Sequence, residues 1–147
     1  MLEIRAMTID DYDEVLRFWI EAKDLDVSPA FDTRNRTAAY LARNPGLSTV
    51  ALDDGRVVGT VLCGHDGRRG SLYNVAVAED HRRRGIARKM LDRSMAGLKE
   101  AGLTSAFLMV YAANLEAAAF WEHNGFAPVS GVNYHFSYFG PVGPASS

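Results

Sequence analysis

Val75-Ala76-Val77-Ala78-Glu79-Asp80-His81-Arg82-Arg83-Arg84-Gly85-Ile86-Ala87-Arg88-Lys89-Met90-Leu91 is the stretch that decides the fold. It reads as a buried strand, a basic turn with one glycine, and the start of an amphipathic helix. A strand that passes into a helix through such a turn points several backbone N–H groups at one spot. The helix dipole stands behind them, so the turn is suited to an anion such as phosphate. Arg82, Arg83 and Arg84 add positive charge there. The expectation is a turn that grips the pyrophosphate of a bulky cofactor.

Working outward, Ser71 to Val77 is the strand that feeds this turn, and Ile86 to Ala101 is its helix, with Ile86, Met90, Leu91 and Leu98 inward and Gly102 at its end. Upstream, Leu47–Leu52 and Val57–Gly64 are β-forming runs joined by Asp54-Gly55, a hairpin signal. Before them, Leu2–Met7 alternates as a strand. Thr8 and Asp11 form a variant capping box for a helix from Ile9 to Ala22, whose inward face is Tyr12, Val15, Leu16, Trp19 and Ile20. A weaker helix spans Thr33–Arg43 and ends at Asn44-Pro45-Gly46. Downstream, Ala106–Tyr111 lacks strongly polar residues and predicts a strand buried on both faces. Asn114 caps a helix to His123, and Phe126–Val129 and Tyr134–Phe139 close the chain as strands. Tyr134, Phe136 and Tyr138 alternate, giving an aromatic face read as core or as a homodimer contact ahead of a substrate wall. The order predicts an α/β (α+β) fold: a mixed, mostly antiparallel sheet of about six or seven strands with about four helices on its two faces. One domain covers residues 1–140, followed by a loose tail, 141–147, rich in Pro, Gly and Ser.

Composition narrows the function. With 147 residues, 48% hydrophobic and 23% charged, the chain can bury a core without staples. A net charge of -2 argues against nucleic acid or an anionic membrane as the general partner, so the arginines are a local feature. Cys63 is the only cysteine, which excludes an internal disulfide and a cysteine-based zinc site and suits a reducing cytoplasm. No apolar run approaches the roughly 18 residues of a membrane helix. Nor does the N-terminus read as a signal peptide. No metal is expected. His81 and His135 read as partnerless loop and strand residues.

Two blocks carry a family resemblance. Arg82-Arg83-Arg84-Gly85-Ile86-Ala87 fits the Gln/Arg-x-x-Gly-x-Gly/Ala pattern of the GNAT superfamily of acyl-CoA N-acetyltransferases, in the family's strand-to-helix setting. Asn114-x-x-Ala117-x-x-Phe120-Trp121-x-x-x-Gly125-Phe126 resembles its second block, Asn-x-x-Ala-x-x-Leu/Phe-Tyr-x-x-x-Gly-Phe. The turn Gly59-Thr60-Val61-x-x-Gly64-x-Asp66-Gly67-x-Arg69-Gly70 is similar to that of a narrower bacterial branch. The resemblance implies acetyl-CoA as co-substrate and a primary amine, on a small molecule or a peptide, as acceptor. It implies that the backbone of Val75 and Val77 pairs with the pantetheine arm. The N–H groups of the Arg82, Arg83, Arg84, Gly85, Ile86, Ala87 and Arg88 segment would hold the pyrophosphate. Asn114 would bond the pantetheine, Phe120 and Trp121 would line the thiol end, and the strands around Val75 and Val110 would splay apart.

Such a slot must run a demanding reaction. A lysine-like amine, of pKa about 10.4, is almost wholly protonated at pH 7 and must lose a proton to attack. The oxyanion needs a donor, which a strand N–H near Val75 or Val77 could supply. The departing thiolate needs a proton. Trp121 stands where the family often has a tyrosine, and an indole N–H is no acid at neutral pH. Tyr111, Tyr73 and His123 are the substitutes. Ser71 stands where some members have a glutamate, so Asp66 or His65, acting through water, becomes the candidate base. These two departures also give the rival reading, a non-catalytic acyl-CoA-binding module. The acceptor pocket is expected from the 24–32 loop, the second helix and the last hairpin.

Overall fold

A computed structural model describes residues 1–141. The elements are β1 (Leu2–Ala6), α1 (Tyr12–Glu21), α2 (Arg34–Arg43), β2 (Thr49–Asp53), β3 (Arg56–His65), β4 (Gly70–Val77), α3 (Ile86–Glu100), β5 (Ala106–Phe107) and α4 (Leu115–His123). One five-stranded sheet runs β1 to β5 in chain order. The first four strands are antiparallel neighbours, and β5 joins β4 in parallel after the α3 crossover. The fold class is therefore the expected one, a mostly antiparallel mixed sheet with helices.

The sheet is covered on both faces, which explains why β3 is buried without a break from Val57 to Gly64. Val50, Leu52, Val57 and Leu62 face α1 and α2, packing with Val15, Phe18 and Trp19. Ala51, Val58, Val61, Cys63 and Leu72 face α3, packing with Met90, Leu91 and Leu98. Each such large side chain contributes about 1.5–3 kcal/mol on burial. Cys63 is a core residue, its thiol pushed up to about 12 by burial. The N-terminal turn is tied as the Thr8–Asp11 pair predicts. Thr8 N–H donates to Asp11 Oδ2 at 2.8 Å, and Arg5 forks onto the same carboxylate at 2.8 Å on each oxygen. That guanidinium holds the Asp11 carboxyl below the usual carboxylate range.

Four expectations are corrected. Ile20 is 66% exposed, while Phe18 is buried in its stead. At about 100° per residue, Ile20 has turned from the Trp19 direction to solvent. Only Ala106–Phe107 of the predicted 106–111 strand pairs with the sheet, and Phe107 (37%) and Met109 (50%) are exposed rather than buried on both faces. Phe126–Val129 and Tyr134–Phe139 form no strands, so the sheet has five strands among the described residues, not six or seven. A β-forming sequence needs an edge to pair with, and Pro128 offers no N–H. Tyr134, Phe136 and Tyr138 instead gather with Phe31 of the α1–α2 loop, at 6.0 Å (Phe31–Phe136) and 6.4 Å (Phe31–Tyr138) between centroids, and remain exposed. The expected tail lies, from residue 142 on, outside the described residues.

Candidate functional site

β4 and β5 are hydrogen-bonded only at Gly70↔Ala106 and Ser71↔Phe107. Beyond that pair β4 continues to Val77 with no β5 partner, so the two strands part and leave one edge of β4 open. On its other edge β4 carries an irregularity. The register with β3 passes from Thr60↔Ala76 to Leu62↔Tyr73, so two steps along β3 face three along β4. Asn74 sits in this bulge at φ 49°, a left-handed conformation that Asn tolerates better than most residues.

Side chains lock the bulge. Thr60 is fully buried; its hydroxyl donates to the Asn74 carbonyl at 2.7 Å and accepts from Trp19 Nε1 at 3.0 Å. Asn74 Nδ2 donates to Asp32 Oδ1 at 3.0 Å. Asp32 also accepts from Ser28 N at 2.8 Å through Oδ2 and takes the Tyr12 hydroxyl on its backbone carbonyl. The consequence follows from peptide planarity. The Asn74 carbonyl points at β3, so the N–H of the same peptide, that of Val75, points to the open side. By the same rule Ala78 N–H donates to Val58 O at 2.7 Å, which turns the Val77 carbonyl to the open side, where Arg82 Nε donates to it at 3.3 Å. The bulge thus aims a free donor into the gap between the strands.

The basic turn lies at the far end of that gap. Gly85 is the residue before α3 and has φ 77°, and Arg83 precedes it at φ 64°. No side chain caps α3 and no acid lies in its first turn. By contrast α2 is capped by Thr33 onto Arg36 N and α4 by Asn114 onto Ala117 N. The first N–H groups of a 15-residue helix are therefore left for an external anion. The arginines divide. Arg82 pairs with Asp24 at 3.1 Å, and Arg88 bonds Asp92 and Asn124, each at 3.0 Å. Arg84 reaches only the Asp80 carbonyl at 3.2 Å, and Arg83 is exposed. Arg83 and Arg84 are thus the pair free to close on a ligand.

His81 corrects its reading as a partnerless loop residue. Nε2 lies 2.8 Å from Asp53 Oδ2 and Nδ1 2.8 Å from Asp80 Oδ1, so the imidazolium donates to both and ties the turn to the end of β2. The Asp53 and Asp80 carboxylates raise its pKa above the ordinary 6.5. The stability from this tie is complete below about pH 6.5 and is lost as pH rises through the raised folded value. His81→Gln should therefore lower the denaturation midpoint more at about pH 5.5 than at about pH 8.5. Parallel denaturant titrations at the two pH values check this; an equal loss at both would contradict it.

The remaining sequence candidates scatter. Asn114 is half-buried, its Oδ1 spent on Ala117 N at 3.0 Å, which leaves Nδ2 to donate elsewhere. Trp121 is 9% exposed and sits in the core, edge-on to Phe120 and Phe126 at 5.1 and 5.2 Å, so Phe120 is the more open of the two rings. Tyr111 is 75% exposed beside the turn into α4. Tyr73 and Asp66, in contrast, come together in a cleft of about 270 Å³ beside the vertex of the splay, with Tyr40 and Arg43 from α2, Asn44 just after it, and His65, Arg69, Ser71 and Phe107. Asp66 Oδ1 accepts from Arg68 N and Arg69 N at 2.8 and 3.1 Å, bonds that hold its carboxyl below the usual range and make it a weak base.

This cleft contains residues that the sequence did not single out. Tyr40 edges onto Tyr73 at 6.3 Å, and its hydroxyl is buried with no hydrogen-bond partner. Burial pushes the Tyr40 phenol well above its ordinary range; the Ser71 hydroxyl nearby opposes this without reaching bonding geometry. Gly64 makes the approach of α2 possible, because a Cβ there would lie 2.6 Å from that hydroxyl and 2.5 Å from Asn44 Nδ2. Helical spacing of Tyr40, Arg43 and Asn44 is the only signal that could have grouped them.

The sequence model of the acetyltransferase (GNAT) family matches residues 11–126, from the turn before α1 to the end of the second block. The chain belongs to the GNAT family. An acetyltransferase of Photorhabdus laumondii is 38% identical over 109 residues, 74% of this chain and 75% of its own length. Among GNAT structures, Ard1 from Thermoplasma volcanium superposes with a TM-score of 0.76 at 22% identity, covering 88% of this chain and 84% of that one. The PaiA N-acetyltransferase of Thermoplasma acidophilum, solved with coenzyme A, gives a TM-score of 0.75 at 16% identity over 85% of this chain and 89% of that one. GNAT membership supports acyl transfer from acetyl-CoA, and the uncapped start of α3 with Arg83 and Arg84 is chemically suited to the pyrophosphate of that donor. Among the described residues no helix is long and apolar enough to cross a membrane, and no cluster of His, Cys, Asp and Glu is placed to hold a metal ion.

Proposed function

We propose that this chain moves the acetyl group of acetyl-CoA to a primary amine by direct attack in a ternary complex. The observation that supports this most is the bulge at Asn74 beside the unpaired edge of β4, which turns Val75 N–H into the gap. In this reading the basic turn and α3 hold the pyrophosphate, the open edge at Val75 and Val77 pairs with the pantetheine, and the thioester lies toward the vertex at Ser71. The neutral amine nitrogen attacks the thioester carbon, and its lone pair becomes the new C–N bond. Val75 N–H stabilises the oxyanion. The C–S bond then breaks with its electrons on sulfur, the nitrogen gives up a proton to water in the cleft, and the thiolate takes one. Tyr73, lining the cleft next to the gap, is the better placed of the two tyrosines for that last proton; Tyr111 stands out in solvent.

The buried Trp121, which can donate no acidic proton, favours the rival of an acyl-CoA-binding module without turnover. One pair of measurements separates the two. Acetyl-CoA at 100 times its Kd should stabilise the protein by about 2.7 kcal/mol, raising Tm by several degrees for a domain of this length. CoA release in the presence of an amine panel should then exceed the rate without amine. Stabilisation with no release on any amine would leave the binding module; no stabilisation would overturn the acetyl-CoA reading itself.

A further inference from the structure

We propose that the acceptor is an amine carrying an anionic group, a carboxylate or a phosphate, at its far end, and that Arg43 and Arg69 bind that group. This rests on the acetyl-transfer reading above and names the acceptor class for it. The cleft stands beside the last paired residues of the splay, Ser71 and Phe107, so an amine seated in it would face the gap. Its electrostatics are one-sided. Among the described residues neither Arg43 nor Arg69 has a carboxylate within ion-pair distance; Arg36, Arg68, Arg83, Arg84 and Arg93 share that state, but only Arg43 and Arg69 line this cleft, whereas Arg5, Arg17, Arg34, Arg56, Arg82 and Arg88 are paired. Arg69 is held in place, its guanidinium carbon 4.9 Å from the centroid of the Phe107 ring. His65 Nδ1 accepts from Gly67 N at 3.0 Å, which puts the proton of the neutral ring on Nε2 and adds a third donor.

The single carboxylate in the lining is Asp66, and it already serves the amides of its own turn. The loop acids that could attract a cation, Asp24, Asp26 and Asp32, do not line the cleft, and two of them are engaged, Asp24 with Arg82 and Asp32 with Asn74 and Ser28. A polyamine in this cleft would meet like charge, whereas an anion-tipped amine would find unpaired donors and be oriented with its amine toward the gap.

The test uses four probes: β-alanine, aminomethylphosphonate, propylamine and spermidine. Turnover is followed by CoA release, and binding by calorimetry on both the free and the CoA-saturated protein. An anionic amine should exceed propylamine in kcat/KM by about tenfold or more, the effect of one charge-assisted hydrogen bond. The β-alanine and aminomethylphosphonate arms tell carboxylate from phosphate. In Arg43→Ala and Arg69→Gln that preference should collapse toward unity while the Tm rise produced by acetyl-CoA is kept. Propylamine or spermidine equal to the anionic amines, a preference untouched in both variants, or no calorimetric binding of either anionic amine would each overturn the proposal. A missing Tm rise with acetyl-CoA would instead sink the acetyl-transfer reading, and the calorimetry on free protein still decides the cleft.

Discussion

Gly85→Glu should bind acetyl-CoA at least 100-fold more weakly than the wild type and still fold. Gly85 is exposed and a Cβ there would meet nothing within 4 Å, so the substitution causes no clash inside the protein. The left-handed φ of 77° adds a cost of about 1–2 kcal/mol for a residue with a Cβ. A carboxylate at a helix start recovers about 0.3–1 kcal/mol of that. The net change is small against the roughly 5–15 kcal/mol stability of a domain. In the proposed reading, however, the same carboxylate sits where the pyrophosphate would bind. It repels the ligand and competes for the N–H groups; losing two charge-assisted bonds at about 1.5–3 kcal/mol each amounts to about two to four orders of magnitude in affinity. Gly85→Asn, which tolerates the conformation and carries no charge, should lose much less. Calorimetric titration with acetyl-CoA, beside circular dichroism for the fold, measures both. Wild-type affinity in the glutamate variant would remove the pyrophosphate from this turn.

Thr60→Val tests the bulge. Valine has nearly the shape of threonine, so no cavity opens, but two groups lose their partner: the buried Trp19 indole N–H and the partly buried Asn74 carbonyl. At about 1–3 kcal/mol for a fully buried orphaned group and less for the partly buried carbonyl, the loss is about 2–5 kcal/mol. In a chain of this length that lowers Tm by roughly 5–20 °C. Activity should fall further than stability explains. Once the Asn74 carbonyl is released, only the Asn74 side chain, through Asp32, still holds the bulge, and the peptide that aims Val75 N–H is free to tilt; losing one oxyanion donor costs up to about 10²–10³ in kcat. Measured at a temperature where the variant is fully folded, kcat should drop by a larger factor than the affinity for acetyl-CoA, most of whose binding charge is met at the distant turn. Thr60→Ser keeps the hydroxyl and should restore kcat. A serine variant as slow as the valine one would mean that Thr60 acts through packing and not through its hydrogen bond.

The two variants mark how far the sequence could be read. Gly85 was legible because its evidence is local: a glycine, flanking arginines and a strand-to-helix change of period all lie within a few residues, and the helix is uncapped because of what the sequence puts before it. The same holds for the Thr8–Asp11 turn, the Asp54-Gly55 hairpin and the inward face of α3. The final strands were misjudged for a related reason. Phe126–Val129 and Tyr134–Phe139 have strand-like composition, but a strand exists only where an edge receives it, and β-propensity does not report on edges.

By itself, then, the sequence determined the class of fold, the basic strand-to-helix turn and the family whose two motif blocks it carries, because each is encoded by neighbouring residues in a fixed spacing. Only the tertiary structure decided which distant residues meet at the bulge and in the cleft. The bulge at Asn74 is held by Thr60, Trp19 and Asp32, residues 14, 55 and 42 positions away in the chain. The cleft joins Tyr40 and Arg43 of one helix to Arg69 of the β3–β4 turn and Tyr73 of β4. Such groupings depend on register and on the close packing that Gly64 permits, and neither leaves a mark in local spacing.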